Sequence, residues 1–300
     1  MNNTSLEDFY DDNASNKPKS KKKDKRKKKN PEPKYDPRNK LNNLDGRQWI
    51  KFLKSWFIFD AKASDLKEER EITKDTEQHP ATFSPTMISD FINFFTKKGM
   101  TVLDPFAGIG TTLVACERTQ RKGIGIELNQ NFAEIATMRV LDSHQVIIDD
   151  ARNIKDLNLP EIDFCITSPP YWRMLNKIDV NQKKREEKGL MTDYGDFNAD
   201  LGKIEDYNEF LKILLDIFDQ IYDKLRNKAY LVIIVQNIVD KGEMMPFAWE
   251  LALELAKGRY VLKKEKIWCQ DKKGLHPFGY PYAWVSNTFH HYCLVFRKEE

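Results

Sequence analysis

Long apolar runs are absent from this sequence of 300 residues, whereas a membrane-spanning helix needs about 18 consecutive apolar residues. The opening MNNTSLEDFY also lacks the basic-then-apolar pattern of a secretion signal. There are only four cysteines, they form no CxxC pair, and they are Cys116, Cys165, Cys269 and Cys293. Scattered cysteines argue against a disulfide framework or a zinc ribbon and favour a reducing compartment. We therefore expect a cytoplasmic protein with no membrane partner.

Basic residues are concentrated near the N-terminus. Residues 1–45 hold 13 Lys and Arg against 8 Asp and Glu, whereas the remainder holds 36 against 38. Ten of the thirteen residues 17–29 are Lys or Arg. Because such a segment has almost nothing apolar to bury, we predict that residues 1–45 are a disordered tail and residues 46–300 the folded domain. The tail is a nonspecific phosphate-binding arm, a solubilising segment or, in a eukaryote, a nuclear-localisation signal.

The folded part alternates short apolar strands with amphipathic helices. Helical spacing predicts packing helices over residues 46–59 and 87–95. Further helices are predicted over residues 111–118, 131–141, 207–225 and 246–256. Strands are predicted over residues 101–103, 122–127, 145–148, 162–167, 229–235, 263–268 and 292–296. This alternation predicts an α/β fold with a mostly parallel sheet covered by helices on both faces.

A glycine turn, VLDPFAGIGTT at residues 102–112, joins the first β/α strand to its helix. Glycines let the backbone approach a ligand closely, and the helix start offers unpaired N–H groups. No Gly-Lys-Ser/Thr follows, and the triple-glycine spacing is absent, so the turn is neither a phosphate loop nor a dinucleotide fingerprint. Asp104, at the strand end, suits a ligand that carries an ammonium group.

Two more acidic positions follow neighbouring strands. Glu127 ends the strand GIGIE and could accept hydrogen bonds from both hydroxyls of a ribose. The next strand ends in Asp149, Asp150 and Ala151, where a carboxylate could accept from an adenine amino group. With Asp104, these sites describe a pocket for a methionine, a ribose and an adenine in that order.

The segment Ser168-Pro169-Pro170-Tyr171-Trp172 follows the strand IDFCIT and so lies at the carboxyl edge of the sheet, where such folds bind ligands. The two prolines stiffen the loop. A serine oxygen and a rigid carbonyl can bind both hydrogens of an amino group, and Tyr171 or Trp172 offers a face for stacking a flipped base.

Taken together, DPFAGIGTT, GIGIELN, DDAR and TSPPYW resemble the amino-methylating (N4-cytosine/N6-adenine) DNA methyltransferases. HPATFSP, before the glycine loop, is similar to the element of that family which closes over the methionine end of the cofactor. The resemblance implies a Rossmann-like fold with a seven-stranded sheet and a C-terminal antiparallel hairpin. It also implies S-adenosyl-L-methionine as cofactor, duplex DNA with a flipped base as substrate, and a cognate restriction endonuclease as a candidate partner.

Position by position, the resemblance implies that Ser168 and Pro169 hold the target amino group, that Tyr171 stacks, and that Pro170 and Trp172 complete the catalytic segment. A serine at the first position is typical of members that methylate cytosine N4, with adenine N6 as the alternative. The cofactor-binding positions that it implies are Thr82, Phe83, Asp104, Pro105, Phe106, Gly108, Gly110, Thr111, Glu127, Leu128, Asp150 and Ala151.

The sequence departs from the family pattern because it ends directly after the predicted sheet, without a C-terminal target-recognition domain. The insert at residues 173–206 either contacts the target or merely covers the site. Two rival functions remain open, an RNA or tRNA amino-methyltransferase and a non-enzymatic nucleic-acid-binding subunit. A late group, Cys269, His276, His290, His291 and Cys293, matches no zinc spacing, so we predict packing and no metal site.

Overall fold

The structure is a computed structural model that describes residues 38–59, 83–172, 201–240, 243–271 and 274–300. In these ranges no helix is long and apolar enough to cross a bilayer. The predicted tail as far as residue 37, the predicted insert from residue 173 to residue 200, and Thr82 lie outside the described residues.

A single eight-stranded sheet organises the described part of the chain. The strands of the structure are β1 (Trp56–Ile58), β2 (Thr101–Asp104), β3 (Lys122–Glu127), β4 (Gln145–Ile148), β5 (Ile162–Thr167), β6 (Leu225–Val235), β7 (Ile238–Asp240), β8 (Glu243–Met245), β9 (Tyr260–Cys269) and β10 (His290–Lys298). The sheet order is β1-β9-β10-β6-β5-β2-β3-β4, and β7 and β8 form a separate hairpin that the sequence analysis did not predict. Within the sheet, β10 is antiparallel to both its neighbours, and the other pairs are parallel.

The predicted fold class, a mostly parallel sheet with a C-terminal antiparallel hairpin, is confirmed. The hairpin consists of β9 and β10, both longer than predicted. The predicted bounds of β3, β4 and β5 agree with the structure. The sheet has one strand more than the seven expected, and that strand is β1.

Helices cover both faces of the sheet. They are α1 (Gly46–Phe52), α2 (Pro85–Phe95), α3 (Thr111–Thr119), α4 (Gln130–Met138), α5 (Tyr207–Lys224) and α6 (Phe247–Lys257), with short 3-10 helices at Ala151–Asp156 and Leu201–Lys203. Successive strand residues belong to different cores because side chains alternate along a strand. Val102 and Phe164 pack with α2 and α3, whereas Leu103 and Cys165 pack with α5 and α6.

The predicted helix over residues 46–59 is wrong in its second half. Helix α1 begins behind the Asp45 cap and ends at Phe52, and Trp56 then enters β1 opposite Ile267 of β9. Phe57 packs on Phe91 of α2, while its two strand neighbours are exposed. The apolar residues after Phe52 therefore follow the two-residue period of a strand that is buried on one side.

The ordered part of the fold begins earlier than residue 46. Asn42 is fully buried and donates a hydrogen bond of 2.6 Å from its side-chain amide to the carbonyl of Phe94. Asn39 accepts from the backbone N–H groups of Leu41 and Asn42. The boundary predicted at residue 45 is thus too late, because polar residues can anchor a chain through hydrogen bonds without any apolar signal.

Candidate active site

The carboxyl ends of three neighbouring parallel strands meet at one edge of the sheet. Strand β2 ends at Asp104, β3 at Glu127 and β5 at Thr167, directly before Ser168. A cleft of about 1070 Å³, counted with its solvent-open part, lies along this edge. The predicted site residues that line it are Phe83, Asp104, Pro105, Phe106, Gly108, Thr111, Glu127, Leu128, Asp150, Ala151, Ser168, Pro169, Pro170 and Tyr171.

Asp104 is the centre of a buried hydrogen-bond network. Its carboxylate accepts from the hydroxyls of Thr112 (2.5 Å) and Thr167 (2.6 Å) and from the N–H of Phe106 (3.1 Å). Burial raises the pKa of Asp104, and the three hydrogen bonds oppose that shift. Because Thr167 precedes Ser168, the network ties the glycine loop to the start of the Ser168–Trp172 segment.

Neither threonine is among the site residues predicted from the sequence. Thr112 stands inside the DPFAGIGTT motif, so its closeness to Asp104 was within reach of sequence reasoning. The contact of Thr167 with Asp104 spans 63 positions and depends on the adjacency of β2 and β5, which only the topology supplies.

Glu127 is the second buried carboxylate of the cleft. It accepts hydrogen bonds from the N–H groups of Gly108 (2.7 Å) and Asn129 (2.9 Å), one on each oxygen. Burial raises the pKa of Glu127 to about 7, although these hydrogen bonds lower it, and the nearby Asp104 adds a smaller upward contribution. Each oxygen keeps a further lone pair, so the carboxylate can still accept from the hydroxyl groups of a ligand.

The two glycines of the loop have different roles. Gly108 lines the cleft and has φ +52°. Gly110, which is predicted to bind the cofactor, is not among the residues that line the cleft. A Cβ on Gly110 would lie 2.8 Å from the Cβ of Ala136 in α4, and its φ is +82°. Gly110 therefore allows close packing of α3 on α4 and a left-handed turn at the start of α3.

Asp150 lines the cleft, and its carboxylate already accepts hydrogen bonds from Arg152. One of its oxygens accepts from the Arg152 guanidinium at 2.5 Å, and the other accepts from the Arg152 backbone N–H at 2.9 Å. Asp150 thereby caps the 3-10 helix Ala151–Asp156. An adenine amino group would share this carboxylate with Arg152.

Tyr171 and Trp172, at the end of the Ser168–Trp172 segment, lie in different surroundings. Tyr171 lines the cleft, and its buried hydroxyl lies near Ser168 without a well-formed hydrogen bond in the described residues. Burial raises the pKa of this hydroxyl well above its usual range. Trp172 instead packs in the core: its indole N–H donates to the carbonyl of Ile204 at 2.9 Å, and its ring meets Tyr207 edge-on. Trp172 therefore belongs to the core, whereas Tyr171 lines the cleft.

The cysteines and the late histidines differ in burial: Cys116, Cys165 and Cys293 are buried, Cys269 and His290 are half-buried, and His276 is exposed. Cys165 is fully buried within β5, and burial raises its thiol pKa well above the usual value. Cys293 is buried on the opposite face, and His291 stacks on Trp268 with ring centroids 4.4 Å apart. No group of three or more His, Cys, Asp or Glu residues comes together as a metal site within the described ranges.

Comparison with known proteins supplies independent findings. A family model described as DNA methylase matches residues 5–138, which include the glycine loop and Glu127 but not Ser168. The type II methyltransferase M.SmaI of Serratia marcescens is 34% identical over 100 residues, 30% of this chain and 34% of that protein. M.Cfr9I of Citrobacter freundii is 45% identical over 62 residues, 21% of each chain. The chain thus spans about a third or less of the length of these curated relatives.

Among solved structures, TrmN from Thermus thermophilus is similar with a TM-score of 0.49 and 14% identity, over 76% of this chain and 52% of that one. The chain shares with that structure only a similarity of fold: in this protein β10 is antiparallel between β9 and β6, and the glycine loop lies at the carboxyl edge of the sheet. The family model and the curated relatives each match only part of the chain, and they support the N4/N6 amino-methyltransferase family.

The residues of the cleft fit the cofactor that this family and fold imply. The carboxylates of Asp104 and Glu127 line one continuous cavity, together with apolar groups from Phe83, Phe106 and Ile126. Glu127 has lone pairs for a diol, and its proximity to Asp104 favours a cationic ligand, since each carboxylate raises the free energy of the other's charged form. S-adenosylmethionine carries an ammonium, a sulfonium and a ribose diol, and it therefore matches this set of groups.

Proposed function

We propose that this chain transfers a methyl group from S-adenosylmethionine to the exocyclic amino group of a DNA base, with cytosine N4 as the favoured target. The single observation that carries the proposal is the bond from Thr167 to Asp104. It connects the strand end that precedes Ser168 to the glycine loop, so the amino-binding segment and the cofactor end of the cleft share one rigid frame.

The side chains of this frame orient the reactants. Ser168 accepts one hydrogen of the amino group, and the carbonyl of Pro169 accepts the other. These two hydrogen bonds take the nitrogen lone pair out of conjugation with the base ring. The flipped base stacks on the face of the Tyr171 ring. When bound, the cofactor would supply a methyl group on a positively charged sulfur: the sulfur–methyl bond would break as the nitrogen–methyl bond forms, the neutral thioether would leave, and one amino proton would be released to solvent. The protein has mainly to align the two reactants and to keep water away from the methyl group.

Asp104 and Glu127 contribute at the other end of the cleft. We assign the methionine end to Asp104 and Phe106, the ribose to Glu127, and the adenine to the segment at Asp150 and Ala151. The threonine hydroxyls hold Asp104 in place and compensate part of its burial. A carboxylate with fixed partners needs no reorganisation when the ligand binds, which favours affinity.

The choice of cytosine rests on Ser168 at the first position of the segment. Adenine N6 is the alternative within the same chemistry, because both targets are amino groups on a planar ring. Mass spectrometry of nucleosides from plasmid DNA incubated with the protein and labelled cofactor tests the choice. N4-methylcytosine is the expected product, and N6-methyladenine alone would overturn the cytosine assignment.

Ser168→Ala and Cys165→Ser form a matched pair that tests the catalytic segment. Ser168→Ala should lower the transfer rate by about 100-fold or more while calorimetry shows unchanged cofactor affinity. Cys165→Ser should keep most activity, because this thiol is buried in β5 and has no part in methyl transfer to an amino group. Full activity of Ser168→Ala would contradict the role proposed for Ser168.

A further inference from the structure

An exposed aromatic loop connects β9 to β10. This segment, residues 274–289, is here called the aromatic loop. Tyr280, Tyr282 and Trp284 have exposed fractions of 82%, 94% and 88%, although their rings are largely apolar. Phe278 and Leu275 of the same loop are also exposed. So much apolar surface in one segment marks an interaction site rather than ordinary surface composition.

The loop holds its rings outward on a braced backbone. At its base, His276 and Asn287 exchange two hydrogen bonds of 2.9 and 2.8 Å. At its tip, the N–H groups of Tyr282 and Ala283 both donate to the carbonyl of Gly279 at 2.7 Å. Gly279 has φ +76°, and a Cβ there would lie 2.3 Å from the carbonyl oxygen of Ala283. The exposed rings therefore belong to a formed turn, which lowers the entropy cost of binding.

The loop leaves the sheet at the same edge as the cleft. Strands β9 and β6 run in the same direction because β10 is antiparallel to both, and β5 is parallel to β6. Strand β9 therefore ends at Cys269 on the edge where β5 ends at Thr167. Three strand spacings separate the two ends, about 14 Å at about 4.8 Å each. That distance corresponds to about four base pairs of duplex at 3.4 Å each.

Direct packing also links the strands of the loop to the cleft. The ring of Phe83, which lines the cleft, lies 5.6 Å from the ring of Trp268 in β9. Trp268 in turn stacks on His291 in β10. Ring packing thus connects the strands that carry the loop to Phe83, which lines the cleft.

We propose that the aromatic loop binds the DNA substrate beside the target base, with Tyr282 and Trp284 stacking on bases. This inference rests on the proposed function, and it deepens that function by assigning a substrate-contacting element outside the insert at residues 173–206. The exposed rings are mainly Tyr, Phe and Trp, the residues on which nucleobases stack. No acidic residue occurs between Gly274 and Phe289, so nothing in the loop repels a phosphate backbone.

The test uses the full chain and a fluorescein-labelled DNA duplex of mixed sequence with one mismatched central cytosine. Trp284→Ala and Tyr282→Ala should each weaken binding by about 5- to 150-fold, the range expected for one lost aromatic stack. Met138→Ala is the control, because Met138 is 78% exposed at the end of α4, away from the cleft edge. Cofactor affinity and thermal unfolding should stay unchanged in all three variants.

Two further variants separate stacking from general apolar contact. Trp284→Phe should keep most of the DNA affinity, whereas Trp284→Leu should lose it, since leucine has no π-face. Equal rescue by phenylalanine and leucine would overturn the stacking assignment.

The outcomes distinguish failure of the loop from failure of the proposed function. Suppose that the wild-type protein methylates DNA, and that Trp284→Ala and Tyr282→Ala are as active and bind DNA as tightly as Met138→Ala. That result would refute DNA binding by the aromatic loop and leave the proposed function intact. A wild-type protein that binds cofactor but neither binds nor methylates DNA, and methylates tRNA instead, overturns both.

Discussion

Cofactor binding should weaken in acid because Glu127 is buried and holds its proton up to about pH 7. Only the ionised carboxylate can accept both hydroxyl hydrogens of the ribose while it keeps the N–H bonds from Gly108 and Asn129. The pKa in the free protein is raised, so the protonated form dominates below pH 7 and must lose its proton when the ligand binds. Affinity is therefore full above pH 7 and falls as the pH drops through that value.

The expected change in cofactor affinity with pH follows from the pKa of Glu127 alone. With a pKa of about 7, the ionised fraction falls about tenfold between pH 8 and pH 6, so the apparent Kd should rise about tenfold. Titration calorimetry with S-adenosylhomocysteine in two buffers of different ionisation enthalpy measures both the Kd and the protons released. About half a proton should be released per ligand at pH 7, rising toward one at pH 6.

Two glutamine variants complete this test. Glu127→Gln should flatten the pH profile and weaken binding by about 10- to 150-fold, the equivalent of hydrogen bonds to a charged group. Glu134→Gln, at an exposed glutamate on α4, should keep the wild-type profile. A wild-type Kd that does not change between pH 6 and pH 8, with no proton release, would refute the reasoning.

Three further substitutions test the frame around the site. Thr167→Val removes the hydroxyl that donates a hydrogen bond of 2.6 Å to the buried carboxylate of Asp104. The free energy of unfolding, measured by urea denaturation, should fall by about 1.5–3 kcal/mol. An unchanged denaturation midpoint would contradict the proposed network. Gly110→Ala places a Cβ 2.8 Å from Ala136 at a positive φ and should cost about 1–3 kcal/mol, whereas a variant as stable as wild type would show that α3 and α4 can move apart. Trp172→Phe should lose stability but keep DNA affinity; a selective loss of DNA affinity would restore the stacking role to Trp172.

Local sequence patterns were sufficient to locate seven of the eight strands of the main sheet and most of the predicted residues that line the cleft. The bounds of β3, β4 and β5 follow from short apolar runs, and the residues at strand ends must meet at one edge of a parallel sheet. Strand β1 was not predicted, because its three residues continue an apolar pattern that also fits a helix. Its pairing partner, β9, lies some 200 positions away in the chain.

The roles of individual cleft residues were less accessible. Gly110 and Asp104 both stand in the same motif, yet one makes room for α4 and the other faces the cleft. Tyr171 and Trp172 are neighbours, but the chain turns between cleft and core at this point. Sequence spacing alone does not specify such orientations, because they depend on which element packs on each side.

The amino-acid sequence by itself determined the alternation of strands and helices, the glycine turn with its acidic neighbours, and the position of the Ser168–Trp172 segment at a strand end. These features depend on local conformational preference and on residue type. Tertiary structure alone decided that Thr167 binds Asp104, that burial brings the Glu127 pKa to about 7, and that the aromatic loop leaves the sheet on the edge of the cleft. Each of these depends on strand adjacency and desolvation, which arise only when distant segments of the chain come together.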